Sequence, residues 1–386
     1  MKGLSVVGAV IAAFVASSAL AQASGYFLER VPNVPGRRFT PIEITDTGLV
    51  AGVAKAGQSS SAVIIDGRSI RKLRSLIASH PNLTLSGVTL GGAAAGQGVN
   101  ASNFKRGIVW DEMGSPSELV PVGDRFMNNT SSTAGISENH IVVGASDVGD
   151  GLGSTRAMIW RSGRPSDAVA LPLACGSNGV DGVFETGLGI SPNGRYVAGS
   201  CTEDFSGRQD GVVWTDATNP TRFSSNVLIP DTSNTSATAV NNSGFAVGEG
   251  TSNCTPDDPF CLVDHAYLWS VDGTVTTDLG ALGSSANISF ADSINSSQDI
   301  VGSSSLDSSG TTFHAVLWKS GQIIDLQQLM AAQLPSQVVL REATQITDAG
   351  QILVSAIDTK ANAPLFFRLT PAIPTSRKIT SNVDHH

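Results

Sequence analysis

The placement of the tryptophans constrains this chain more than any other feature. All five follow a small residue and two mostly apolar ones: Gly107-Ile108-Val109-Trp110, Ala157-Met158-Ile159-Trp160, Gly211-Val212-Val213-Trp214, Ala266-Tyr267-Leu268-Trp269 and Ala315-Val316-Leu317-Trp318. They stand 50, 54, 55 and 49 residues apart. Ahead of the last four lies a second block, in which an apolar residue and a polar turn lead to a short apolar run ending in Gly: Ile136 to Gly144, Ile190 to Gly199, Val240 to Gly248 and Ile294 to Gly302. Asn, Asp and Gly in these turns suit a hairpin, so the block reads as strand, turn, strand. Gly87 to Gly96 supplies the front half of the copy that carries Trp110. Weaker copies open the series (Ile44 to Gly52, then Ala62 to Ile65) and close it (Ile346 to Ser355, then Leu365 to Phe367). The total is seven units of about fifty residues, a self-similarity that means a repeat architecture.

A further apolar stretch after each Trp block, such as Ile323-Ile324-Asp325-Leu326, brings the count to four strands per unit. The composition agrees: 41 Gly and only 15% charged residues describe many short strands joined by tight turns. The expectation is an all-β chain forming a single seven-bladed β-propeller of four-stranded blades, spanning residues 24–371. The last unit has no evident fourth strand, while Tyr26 to Val31 is strand-like and unassigned. This run is therefore predicted to complete the last blade and so remove an open edge. The small residue three places before each Trp should mark close contact between blades. Helical spacing predicts short helices over Arg68 to Ser79 and Asp325 to Leu334.

Residues 1–23 read as a signal peptide, with Lys2, an apolar run from Leu4 to Leu20 and two Ala-x-Ala sites that place cleavage near Gln22 or Ser24. No later segment has the length of apolar sequence needed to span a bilayer, and 372–386 reads as a flexible polar tail. The expected location is outside the cytoplasm, extracellular or periplasmic. Four cysteines in an exported chain imply disulfides, with three connectivities open. Local spacing favours Cys175 with Cys201 and Cys254 with Cys261, worth about 3.5 and about 2.5 kcal/mol from loop closure. No metal site is expected, since Cys-x-x-Cys is absent and no His stands at ligand spacing from the cysteines. A net charge of −9 argues against nucleic acid as a partner.

The blocks His265-Ala266-Tyr267-Leu268-Trp269 and His314-Ala315-Val316-Leu317-Trp318, with Asp278-Leu279-Gly280-Ala281-Leu282-Gly283, resemble the extracellular HAF repeat family. The chain departs from the family pattern in that no block keeps the Phe, and Arg106, Arg156 or Asp210 replaces the leading His elsewhere. The resemblance implies export and a repeat fold. It implies no particular reaction.

No nucleophile elbow, His-Glu-x-x-His, phosphate loop or dinucleotide fingerprint is present, and no cofactor is implied. Four residues before Trp, Arg106, Arg156, His265 and His314 recur, with Asp210 the exception. On one propeller face they would form a cationic arc for an acidic glycan or carboxylate; otherwise each serves a local hydrogen bond. The excursion from Cys254 to Cys261 lengthens its unit and carries Asp257, Asp258 and Phe260, a candidate recognition loop. Asp147 and Asp150 supply too few oxygens for calcium. His385 and His386 lie in the tail. The leading functional expectation is a binding module for a glycan, a protein or a cell-envelope component. The alternative is a carbohydrate-active hydrolase or lyase, which carboxylates or histidines gathered at the propeller axis would favour.

Overall fold

The computed structural model describes residues 25–78, 82–121, 130–147, 154–161, 168–175, 184–203, 208–215, 219–223, 234–253 and 261–372. Residues 1–23, read above as a signal peptide, Asp150, the Asp257, Asp258 and Phe260 positions, and residues beyond 372 lie outside the described residues. Seven antiparallel blades of four strands form a β-propeller. Their inner strands, in order from blade I to blade VII, are Arg38–Ile44, Thr84–Val88, Ser131–Ile136, Phe184–Ile190, Thr235–Val240, Ser289–Ile294 and Val338–Ile346. Blades III and IV also share one parallel bridge, Thr155 with Phe184.

Closure follows the sequence expectation. Strand Tyr26–Arg30 pairs with Ala363–Pro371, the third strand of blade VII, in a register that sets Tyr26 against Pro371 and Arg30 against Phe367. The first and last described strands share one sheet, so the third strand of blade VII is covered rather than left as an open edge. Gln333 strengthens the seam by accepting from Leu28 N (3.1 Å) and donating to Tyr26 O (2.9 Å).

There is no single core. Seven apolar clusters occur, one at each contact between consecutive blades. Side chains alternate along a strand, so each middle strand feeds two clusters. In blade II, Ile108 and Trp110 face blade I while Val109 faces blade III. Every Trp faces the preceding blade. Trp110, Trp160, Trp214 and Trp318 each donate the indole N–H to a carbonyl just past that blade's outer strand, those of Arg74, Val120, Pro172 and Leu279 at 2.6 to 3.3 Å. A large ring with one donor at its tip fills the interface and ties it down, which a Phe cannot do.

The small residue three places earlier meets the following blade. At Gly107 an added methyl would press on Thr133, and at Gly211 on the backbone of Ser236 and Ala237. The amides of Gly107, Gly211 and Ala266 donate to the hydroxyls of Ser131, Thr235 and Ser289, at the start of the next blade's inner strand. Those hydroxyls donate in turn to Leu119 O, Phe223 O and Gly280 O. Each hydroxyl thus joins the third strand and the outer edge of one blade to the start of the next.

Two local expectations need adjustment. The helix expected over Arg68 to Ser79 is instead an outer strand, Ser69–Lys72, paired with Val63 to Asp66. Gly67-Arg68 forms a two-residue hairpin turn between Asp66 and Ser69, with Gly67 at φ +55°, and that local turn outweighs the helical spacing of Ile70 and Leu73. The second helix forms only as Leu326–Leu329, where the Asp325 carboxylate accepts from Gln327 N and Gln328 N as its N-cap. Cys175 and Cys201 are disulfide-bonded with a Cα separation of 5.7 Å, joining blade III to blade IV. Cys261 is also disulfide-bonded, and its expected partner Cys254 lies outside the described residues.

Removal of residues 25–31 should therefore lower the melting temperature and cause concentration-dependent self-association through the exposed third strand of blade VII. Light scattering and thermal melts at two protein concentrations test this; an unchanged monomer would contradict the closure role.

Candidate functional site

Each inner strand carries one residue too many. Its register slips against the second strand, leaving a bulged residue: Ile42, Ser86, Ala134, Leu188, Thr238, Asp292 and Thr344 in blades I to VII. The bulge drives a carbonyl toward the second strand, and in blades I to VI the residue there is the repeat glycine: Gly52, Gly96, Gly144, Gly199, Gly248 and Gly302. At all six, a Cβ would lie closer than 3.0 Å to that carbonyl oxygen. Blade VII has Val354 instead and accommodates it with a second register slip, between Leu340 and Glu342. A bulge bends its strand and re-aims the side chains beyond it. Here it brings residues of all seven inner strands around one axial cavity of about 270 Å³.

The wall of this cavity is uneven. From blades II to V it is lined by the small residues Ser86, Gly87, Ala134, Gly135, Gly189 and Ala239, together with Ile136 and Ile190. Across the axis stand Asp292, Ser293, Thr344, Gln345 and Glu43 from blades VI, VII and I. Among the described residues, no Lys, Arg or His lines it.

The two acids differ in their partners. Glu43 links three blades: Oε2 accepts from Val88 N of blade II at 2.5 Å, and Oε1 accepts from Gln345 Nε2 of blade VII at 3.1 Å. Gln345 Oε1 accepts in turn from Ile44 N at 2.6 Å. Burial pushes the Glu43 carboxyl up to about 8 despite these bonds. Asp292 has a buried Oδ2 with no hydrogen-bond partner among the described residues. Burial first, then the neighbouring charges of Glu342 and Glu249, raise it well above the usual carboxylate range. Three consecutive blades, V, VI and VII, thus direct acids at one region. Among the described residues no group of three or more His, Cys, Asp or Glu is arranged to hold a metal ion.

The cavity lies at the ends of the inner strands nearest the first hairpin turns, and those turns are joined in a ring. Leu90 N donates to Glu138, Glu138 N to Pro192 O, Asn193 N to Asn242, Asn241 Nδ2 to Asn295 O, Ser296 N to Asp348, and Ala349 N to Asp46. Thr47 Oγ1 completes the circuit to Leu90 O at 3.5 Å. Asp46, Glu138 and Asp348 place carboxylates on this rim, with Arg195 and His140 opposing them, while Asp299 is paired with Lys319.

The Arg and His set of the sequence analysis is placed elsewhere, in side-chain pairs with carboxylates: ion pairs for the arginines and hydrogen bonds for the histidines. Arg106 meets Glu118 at 2.9 Å, His265 meets Asp278 at 2.8 Å and His314 meets Asp325 at 2.9 Å, each acid on the outer strand of the same blade. Blade IV reverses the signs, with Asp210 paired to Arg222. Arg156 turns instead to Glu185 of blade IV at 3.1 Å. The pair persists while the charge changes sides, so the recurring property is complementarity within the scaffold. Asp147 likewise accepts from Thr130 N and Oγ1 at 2.8 and 2.9 Å.

Sequence reasoning missed Glu43, Asp292, Glu249 and Glu342. The signal lay in aligning the seven inner strands on the apolar residue before the turn. That comparison sets Asp292-Ser293-Ile294 and Ile42-Glu43-Ile44 beside Ala134-Gly135-Ile136 and Thr238-Ala239-Val240, and exposes the two acids as exceptions.

No protein-family model matches the sequence, and no curated protein is significantly similar to it. Solved structures do match. Prolyl oligopeptidase B from Galerina marginata is 8% identical, with 95% of this chain and 52% of that one covered and a TM-score of 0.51. YCF48 bound to D1 peptide is 9% identical, with 90% and 95% covered and a TM-score of 0.45. TolB from Acinetobacter baumannii is 12% identical, with 84% and 63% covered and a TM-score of 0.38. The chain spans less than two thirds of that TolB and about half of the oligopeptidase. At these identities the likeness concerns the fold alone.

Glu43 gives a signed pH dependence. Its folded value, about 8, exceeds the model-compound value of 4.5, so between these the folded state holds more protons than the unfolded one. Stability should fall as pH rises from 4.5 to 8 and level off above, by a few kcal/mol from this group at about 1.4 kcal/mol per unit. Chemical denaturation across that range should show the decline, and Glu43→Gln should make it shallower. An identical slope in the variant would contradict the assignment.

Proposed function

We propose that this protein is an exported interaction module whose axial cavity receives a cationic side chain from a protein or peptide partner. The observation that carries this reading is Asp292: an acid with a buried, unpartnered oxygen in a cavity that no base lines among the described residues. Leaving such a group without a donor is costly, and a lysine or arginine head supplies several. Size supports the same occupant. A volume of about 270 Å³ is below the usual range for small-molecule sites, roughly 300–1,000 Å³, and suits one side chain better than an oligosaccharide. The acidic rim would steer a cationic partner toward the axis.

Export rests on the signal-peptide pattern and is supported by the buried Cys175–Cys201 bond, of a kind that persists in oxidising compartments. Among the described residues no helix is long and apolar enough to cross a membrane. Membership of the HAF-repeat family remains part of the same proposal. The polysaccharide hydrolase reading is favoured by one observation, the raised titration of both Glu43 and Asp292 in one axial cavity. Glu43 is held by backbone and Gln345 donors, however, which leaves Asp292 as the acid a substrate would meet.

A cation reaching Asp292 must displace its proton, so binding should tighten as pH rises through the raised value and then level off. Calorimetry with acetyl-Gly-Arg-Gly-amide and its Lys counterpart, in buffers of different ionisation enthalpy, should show saturable binding with proton release. Asp292→Asn should lose both. Binding that ignores pH and survives the substitution would sink the proposal, and release of reducing ends from a polysaccharide panel, abolished in Asp292→Asn, would establish the hydrolase instead.

A further inference from the structure

The seam that closes the propeller holds a second cavity of opposite character. Between the N-terminal strand and blade I the chain crosses from blade VII through Val31-Pro32-Asn33-Val34-Pro35-Gly36-Arg37. The crossing is pinned by Val31 N to Phe366 O (2.9 Å) and by Arg37 N to Val34 O (3.1 Å), with Gly36 at φ +69° making the turn. Beneath it, Val31, Val34 and Phe39 are buried in the cluster between blades VII and I. The crossing leaves a cavity of about 460 Å³ against Pro364, Leu365 and Phe366.

Three arginines line this cavity: Arg30, Arg37 and Arg38. Elsewhere the described arginines and lysines at strand positions repeatedly meet carboxylates, as Arg106, Arg156, Arg222, Lys319 and Arg368 do. None of these three forms an ion pair among the described residues. Glu29, which precedes Arg30 in the N-terminal strand, is paired with Arg368. Arg37 Nη1 is buried and has no acceptor among the described residues. In a chain of net charge −9, three unopposed guanidinium groups around one cavity are a local reversal of sign.

A buried guanidinium nitrogen without an acceptor is under-satisfied, and planar arginine forks match carboxylate and phosphate oxygens. The cavity volume falls inside the range of small-molecule sites, and its floor is apolar. From this geometry we infer that the seam is a binding site for a small organic anion, a carboxylate or phosphate carried on an apolar body. Arg37 engages the anionic group from within, Arg30 and Arg38 close over it from the rim, and the body rests on Phe39 and Phe366. Two prolines fix the crossing, so little order has to be created on binding. The ligand bridges the two ends of the ring and stabilises closure by mass action.

The probes are inorganic phosphate, phenyl phosphate and 3-phenylpropionate, read by calorimetry and by thermal shift of the full-length mature chain. Phenyl phosphate or 3-phenylpropionate should bind saturably, at least tenfold more tightly than inorganic phosphate, and raise the melting temperature; which of the two binds tighter identifies the anion. Arg37→Met should weaken that binding at least tenfold while leaving the unliganded melting temperature equal or higher, since it removes an unsatisfied buried donor. Arg30→Ala with Arg38→Ala, at the exposed rim, gives an independent loss should Arg37→Met fold poorly. Asp292→Asn should bind these anions normally, which separates this site from the axial one. No saturable binding of any probe at millimolar concentration, or equal binding by wild type and both variants, would overturn the inference.

Discussion

The architecture depends on a carbonyl that has nowhere to go but over a glycine. Each inner strand carries one extra residue, and the resulting bulge presses a backbone oxygen against the second strand, where six blades place glycine. Without a Cβ the two strands approach; with one, the inner strand has to slip again, as it does opposite Val354 in blade VII. The bulge also determines what the axis can display. In every blade the successor of the unpaired residue lines the axial cavity, and in five blades the unpaired residue does too, so a single substitution there places a functional group at the axis. Asp292 is such a residue.

Around this constraint the blades are joined at three depths. Hairpin turns link into a ring near the axis, apolar clusters fill each interface, and tryptophan indoles bind the neighbouring blade's outer edge. Because each blade touches only its two neighbours, stability is close to a sum of similar interface terms. Closure by the N-terminal strand turns that line of interfaces into a circle. The two cavities then sit in the two places where the repetition is broken: the axis, where unlike residues meet, and the seam, where the ends join.

The scaffold was legible because its residues repeat. Trp110 through Trp318 mark one interface position five times, and Tyr26 to Val31 was identifiable as the missing strand by counting. The helix expected at Arg68 to Ser79 failed for a local reason, since Gly67-Arg68 already commits the chain to a hairpin. The candidate sites were harder to read. Arg106, His265 and His314 recur in the sequence, but the carboxylate that each meets lies on another strand, out of reach of a local pattern. Asp292 and Glu43 occur once each, and their convergence depends on inner strands separated by some 250 residues, which no local pattern encodes. Arg30, Arg37 and Arg38 belong to no repeat, and their grouping over an apolar floor depends on the closing strand.

The most direct measurement compares two glycine-to-alanine variants in neighbouring parts of the chain. Gly248→Ala puts a methyl against the bulge carbonyl of Ser236, whereas Gly273→Ala lies in a turn at φ +73° with nothing within 4 Å of the new atom. If the bulge contact governs the fold, chemical denaturation should show a loss of more than about 3 kcal/mol for Gly248→Ala, in the range of severe overpacking, against about 1–2 kcal/mol for the turn variant from backbone strain. Equal losses in the two would contradict it.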